Sequence, residues 1–105
     1  NLWEHLVLNE LHARLQTQDV RYWRDKQGHE VDFVLAGHRG APTAIECKWR
    51  ATGFDSGNLK VFRGKYPDGL NIVVASDVDQ PYTANMGGSR VRFVGLEHLV
   101  DALGG

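Results

Sequence analysis

Glu30-Val31-Asp32-Phe33-Val34-Leu35 and Ala44-Ile45-Glu46-Cys47-Lys48-Trp49 are the two stretches whose reading decides the fold. Both are short and apolar enough to be buried strands, and each carries charge where a core strand should not. Successive side chains of a strand point to opposite faces, so Glu46 and Lys48 share one face while Ile45, Cys47 and Trp49 share the other. An acid and a base therefore emerge side by side. Charge left unpaired on a largely buried strand is costly, so a fold that keeps Asp32, Glu46 and Lys48 there has a reason to do so.

Working outward, Leu2 to Leu15 has helical periodicity. Leu2, Trp3, Leu6, Val7, Leu11 and Leu15 fall in one broad apolar arc, with His5, Asn9 and His12 on the polar side. Glu4 and Glu10 fall inside or at the edge of that arc, which is unexpected for carboxylates. Gln16 to Asp19 reads as loop, Val20 to Arg24 as a strand rich in aromatic and β-branched residues, and Asp25-Lys26-Gln27-Gly28 as a hairpin turn. His29 to Ala36 is the second strand, Gly37 to Gly40 a turn, and Pro42 to Trp49 the third strand, with Pro42 at its tolerated first position. Thr52 to Ser56 is a polar loop in which Asp55 or Ser56 caps a helix over Gly57 to Tyr66. Leu59 and Phe62 form the inner face of that helix, and Pro67-Asp68-Gly69 ends it. Leu70 to Ala75 is a nearly continuous apolar run, as expected of a strand covered on both faces. Asp77 to Ser89 reads as loop containing the turn Gly87-Gly88. Arg90 to Val94 alternates as a strand, and Leu96 to Leu103 has helical spacing. The expected fold is α/β, in the order α-β-β-β-α-β followed by a final strand and helix.

Composition narrows the function classes. The chain has 105 residues, enough for one domain and a single core. It has 42% hydrophobic and 24% charged residues, in the ordinary range for a globular protein. A lone Cys47 excludes an internal disulfide and fits a reducing, cytoplasmic setting. No apolar stretch approaches membrane-spanning length, so no membrane partner is expected. The net charge of −1 excludes a surface that attracts anions everywhere; nucleic-acid contact would need a local basic patch. The chain starts at Asn1 without an initiator Met and with helical patterning at once, as expected of a fragment of something longer.

The element order, with Asp32 on the second strand and Glu46-Cys47-Lys48 on the third, resembles the restriction-endonuclease-like or PD-(D/E)xK superfamily, with Holliday-junction resolvases nearest in layout. More specifically, the chain looks like the carboxy-terminal domain that follows the ATPase module in a family of prokaryotic AAA-type ATPases. Leu2-Trp3-Glu4-His5-Leu6-Val7 with Glu10-Leu11, Tyr22-Trp23-Arg24-Asp25, Gly28-His29-Glu30-Val31-Asp32-Phe33-Val34 and Ile45-Glu46-Cys47-Lys48-Trp49 carry this likeness over essentially the whole chain. Val31 stands where the superfamily's Pro precedes its Asp, and Cys47 stands where Val is common. The resemblance implies an α-β-β-β-α-β core with a central mixed sheet flanked by helices, a single domain over residues 1–105, and an ATPase module elsewhere in the same full-length chain. It also implies DNA as the partner.

Phosphodiester hydrolysis needs a divalent cation to polarise a phosphoryl oxygen and lower the pKa of an attacking water. Mg2+ or Mn2+ would take hard oxygen ligands: Asp32, Glu46, the Cys47 backbone carbonyl, and a helix carboxylate. Glu4 is the first choice for that carboxylate because it occupies the matching place in the family pattern. Glu10 is the second, although a salt bridge to Arg14 also accounts for it. Lys48 sits where a fixed cation stabilises developing charge, so Asp32, Glu46, Lys48 and Glu4 are the expected catalytic set. The plainer alternative is a structural ion-pair cluster. Lys60, Arg63 and Arg50 are the expected phosphate contacts, and a solvated helix face explains them equally well. Trp3, Trp23 and Trp49 read as packing residues, the histidines as solvated or edge residues, and Cys47 as inward and inert.

Three function classes remain open on this reading. The first is a metal-dependent, DNA-directed nuclease. The second is a non-catalytic nucleic-acid- or protein-binding accessory module of an AAA-type ATPase. The third is a structural domain that shapes the ATPase assembly.

Overall fold

A computed structural model describes residues 1–15 and 19–104. The chain runs through helix α1 (Leu2–Arg14), strands β1 (Arg21–Arg24), β2 (Glu30–Leu35) and β3 (Thr43–Lys48), and helix α2 (Gly57–Lys65). Strands β4 (Asn71–Ala75), β5 (Tyr82–Met86) and β6 (Ser89–Val94) and the short helix α3 (Leu99–Leu103) complete it. Of the expected loop from Gln16 to Asp19, residues 16–18 lie outside the described residues.

Among the described residues the six strands form one sheet in the order β1-β2-β3-β4-β6-β5. The pairs β1/β2, β2/β3 and β5/β6 are antiparallel, while β3/β4 and β4/β6 are parallel. The protein is thus α/β with a mixed sheet flanked by helices. Parallel strands need a crossover, and α2 supplies the one between β3 and β4. Strand β4 lies at the centre, and its residues from Ile72 to Ala75 are all buried, as the unbroken apolar run required.

Two cores result, one on each face of the sheet. Leu59 and Phe62 of α2 pack on Val31, Ala44, Val73 and Phe93. On the other face Val7 and Leu11 of α1, with Leu99 of α3, pack on Ile45, Cys47 and Val74. The start of α1 is fixed twice. Asn1 Oδ1 accepts the Glu4 N–H at 3.1 Å, capping the first turn. Trp3 Nε1 donates to the Val74 carbonyl at 3.0 Å, tying that turn to the central strand.

The structure corrects three expectations. Leu2 and Leu6 are not core residues: they are 77% and 43% exposed. Helix α1 meets the sheet along the narrow i, i+4 ridge of Trp3, Val7 and Leu11, which leaves the flank of the arc outside. The segment from Asp77 to Ser89 is not all loop, because Tyr82–Met86 forms β5 in a hairpin with β6. Gly87 and Gly88 have φ of 60° and 86°, the positive pair that a tight two-residue hairpin demands.

The third correction concerns Arg63, which is not on a solvated face but buried at 8% exposure. Its guanidinium donates to Asn71 Oδ1 and to the carbonyls of Tyr66, Asp68, Pro42 and Leu70, at 2.7–3.1 Å. All five N–H donors of the side chain are therefore used. They gather the turn after α2 and the approach to β3 around one cation, leaving Arg63 none to offer a phosphate. The turn also passes too close to Pro42 for any side chain at Gly69: a Cβ there would lie 2.0 Å from the Pro42 oxygen.

Replacing Arg63 by Ala should leave several inward carbonyls without partners, and we expect a loss of about 3 kcal/mol in urea-unfolding stability. Arg63→Lys should recover only a small part of it, since an ammonium cannot reproduce the planar fork.

Candidate functional site

The site forms where β2 and β3 stop pairing. Phe33 faces Ile45, Val34 faces Ala44 and Leu35 faces Thr43, and the backbone register between these strands ends there. On the other side of β2, Arg21 pairs with Val34 and Trp23 with Val31, so β2 advances three residues while β1 advances two. That extra residue is a bulge in β2, and bulges re-aim side chains. Strict alternation would put Val31 on the same face as Phe33 and Leu35. Instead Val31 enters the α2-side core while Phe33 and Leu35 pack on the α1 side. Asp32 is thereby turned toward α1.

Side chains replace the ladder past this point. The Asp32 N–H donates to Glu46 Oε1 at 2.9 Å, and the Cys47 N–H donates to Asp32 Oδ2 at 2.8 Å. Each strand's carboxylate thus accepts an N–H from the other strand. Among the described residues no N–H donates to Asp32 Oδ1 or to Glu46 Oε2. Neither is a buried unsatisfied atom. The N–H and C=O of one strand residue point to the same side, so the Cys47 carbonyl faces the gap between the strands.

Electrostatics make the pair unusual. Burial pushes the Glu46 carboxyl up to about 7, and the charges of Asp32 and Glu30 raise it while Lys48 opposes. Burial likewise raises Asp32 to about 6, against the pull of the Cys47 N–H bond and with further lifting by Glu4 as a charge and as a hydrogen-bond partner. Lys48 favours the ionised form of both carboxyls, yet among the described residues it forms no ion pair with either. The structural ion-pair alternative therefore lacks its central contact. Two acids with pKa values pushed into the neutral range beside a cation are the sort of group that functional sites arrange.

Glu4 reaches Asp32 because Asn1 and Trp3 hold the first turn of α1 against the sheet. Glu10 does not join it; its carboxylate pairs with Arg14 Nε at 3.3 Å, four residues along the same helix. Lys60 and Arg50 are exposed, whereas Arg63 is consumed by backbone carbonyls. The Cys47 thiol is buried and its pKa is pushed up by burial and by the surrounding acids, so it is inert. Glu30 was not singled out in the sequence although it bears on Glu46; its place two residues before Asp32 was the available signal. It is held by Arg24 at 3.0 Å.

Among the described residues no three His, Cys, Asp or Glu side chains are disposed to enclose a metal. One oxygen of each carboxylate is turned onto a backbone N–H instead. The free oxygens, the Cys47 carbonyl and the nearby Glu4 make an all-oxygen donor set, which suits Mg2+ or Mn2+ rather than a thiophilic ion. In donor chemistry, though not as a gathered cluster of side chains, these residues match what a hard divalent cation takes.

The proton chemistry has a measurable consequence. Ordinary carboxyls at these positions would titrate near 3.8 and 4.5, while the folded values are about 6 and about 7. The folded chain therefore holds more protons between those limits, and this pair subtracts stability as pH rises through the window. Glu46→Gln should flatten the stability-pH curve between pH 4 and 7 and gain on the order of 2 kcal/mol at pH 8 relative to the parent. Parallel urea titrations across pH would measure it.

No curated protein matches the chain. A family model matches residues 1–95, a span that contains α1, every described strand and all of Glu4, Asp32, Glu46 and Lys48. On that match the chain belongs to the family described as Domain of unknown function (DUF4143).

Proposed function

We propose that the chain is a restriction-endonuclease-like, PD-(D/E)xK-type nuclease domain that acts on DNA with Mg2+ or Mn2+, joined to an ATPase module in its full-length protein. The observation that carries this reading is the reciprocal bonding at the point where β2 and β3 part: the Asp32 N–H donates to the Glu46 carboxylate and the Cys47 N–H to the Asp32 carboxylate. It leaves one oxygen of each carboxylate without a backbone donor, near the Cys47 carbonyl and within the field of Lys48.

Asp32 and Glu46 would hold the cation, with the Cys47 carbonyl and Glu4 completing the protein's share of ligands. A bound divalent ion would polarise the scissile phosphate and supply an activated water. The chain's own residues do the rest. Burial keeps both carboxyls partly protonated near neutrality, so cation binding releases protons and tightens as pH rises past 7. Lys48 would place a fixed positive charge where negative charge develops on the phosphoryl oxygens. The bonds to Asp32 N–H and Cys47 N–H set the carboxylates in position before any ligand arrives.

A non-catalytic accessory module is the second reading, and one observation favours it: each carboxylate already has one oxygen satisfied by backbone. DNA binding that survives Asp32→Ala, with no cleavage by the parent chain, would support this reading over the first.

Calorimetric titration with Mn2+ separates the parts. We expect one bound ion per chain at pH 8, no detectable binding after Asp32→Ala or Glu46→Ala, and roughly ten-fold weaker binding after Glu4→Gln. Lys48→Ala should bind Mn2+ normally while losing about a hundred-fold in plasmid-nicking rate. Cleavage that needs no metal, or alanine variants as active as the parent, would refute the proposal.

A further inference from the structure

Trp49 is the large aromatic whose position the packing does not explain. It follows Lys48 at the end of β3, and it is 63% exposed although its sequence pattern assigns it to the core. Its ring is supported rather than loose: Trp3 of α1 meets it edge-on, with ring centroids 5.7 Å apart and planes at 86°. Its backbone is fixed as well. The Trp49 carbonyl accepts the Ser76 N–H at 3.0 Å and also the Ser76 hydroxyl, while Asp77 Oδ1 accepts the Ala51 N–H at 2.9 Å just beyond it. A rigid, exposed indole costs little conformational entropy when it binds something flat.

Its neighbours indicate what that is. The first turn of α1 touches both places at once, Trp3 against Trp49 and Glu4 against Asp32. The indole, Glu4 and Asp32 therefore share the α1 side of the sheet. Lys48 and Arg50 flank Trp49 in sequence; Arg50 is exposed, and neither takes part in an ion pair among the described residues. An exposed aromatic surface with an available cation, Arg50, next to it in the chain matches the requirements of single-stranded nucleic acid. The base stacks, and the flanking backbone is neutralised. A fully paired duplex offers no open base face to the indole.

We propose that Trp49 is a stacking platform for an unpaired base, with Arg50 on the adjacent phosphate, so that the substrate class is single-stranded or locally unpaired nucleic acid. The substrate class rests on the nuclease reading above; the platform itself does not require catalysis.

The test uses the 105-residue chain with a fluorescein-labelled oligothymidylate and a blunt duplex of equal length, in Ca2+ and read by anisotropy, alongside the Mn2+ titration. The single strand should bind more tightly than the duplex. Trp49→Ala should weaken single-strand binding about ten-fold, and Trp49→Phe should restore most of it. Both variants should bind Mn2+ as the parent does. Equal binding of single strand and duplex, or a Trp49→Ala variant with unchanged affinity, would overturn the platform even if Mn2+ binds normally. A change in oligomeric state on Trp49→Ala, read by light scattering, would also overturn it by making the indole a protein contact. Trp49-dependent single-strand binding without any Mn2+ binding would support the platform while refuting the nuclease reading.

Discussion

The structure turns on an exchange of hydrogen bonds across the mouth of two diverging strands. Asp32 gives its N–H to Glu46, and the Cys47 N–H is received by Asp32. Without these bonds, two strands that no longer pair would expose amides in a half-buried place, which is expensive. With them, the opening between β2 and β3 becomes a defined feature rather than a frayed edge. Keeping it requires two carboxylates out of water near one another, and their pKa values are raised as a result. The charge is thus built into the sheet. A passive core would have no use for it.

Everything around the opening serves to hold it. The bulge in β2 turns Asp32 toward α1 without disturbing Phe33 and Leu35. The Asn1 cap and the Trp3 bond to Val74 set the first turn of α1, and with it Glu4, over the same end of the sheet. At the other end of β3, away from the opening, Arg63 binds the approach to β3 and the turn before β4 into one cluster of carbonyls. The parallel centre, β3 with β4 and β4 with β6, then presents the carboxyl ends of its strands on one side, where open α/β sheets habitually bind ligands.

Much of this was legible in the sequence, for identifiable reasons. The apolar run at Ile72 to Ala75 can only be a central strand, and the charges inside β2 and β3 stood out because the surrounding pattern was so regular. What was missed has equally specific causes. Strand β5, Tyr82-Thr83-Ala84-Asn85-Met86, is short and lies at the sheet edge, but its apolar-polar alternation and the Gly87-Gly88 turn after it were both legible signals of a hairpin. The bulge leaves no mark in composition, since one extra residue in a strand looks like any other. Arg63 looked like a surface cation because helix periodicity says nothing about carbonyls brought in from Pro42 and Leu70. The broad arc of α1 overcounted its core, since Leu2 and Leu6 satisfy the period but miss the ridge. Trp49 was expected inside; the end of β3 lies where α1 covers the sheet with only one ring, that of Trp3.

Anomalous diffraction from crystals soaked in Mn2+ at pH 8 tests the central claim most directly. The account predicts one peak in the opening between β2 and β3, bonded to Asp32, Glu46 and the Cys47 carbonyl, with Lys48 Nζ outside the ligand shell. An empty opening closed by a Lys48 ion pair to Asp32 or Glu46 would contradict it.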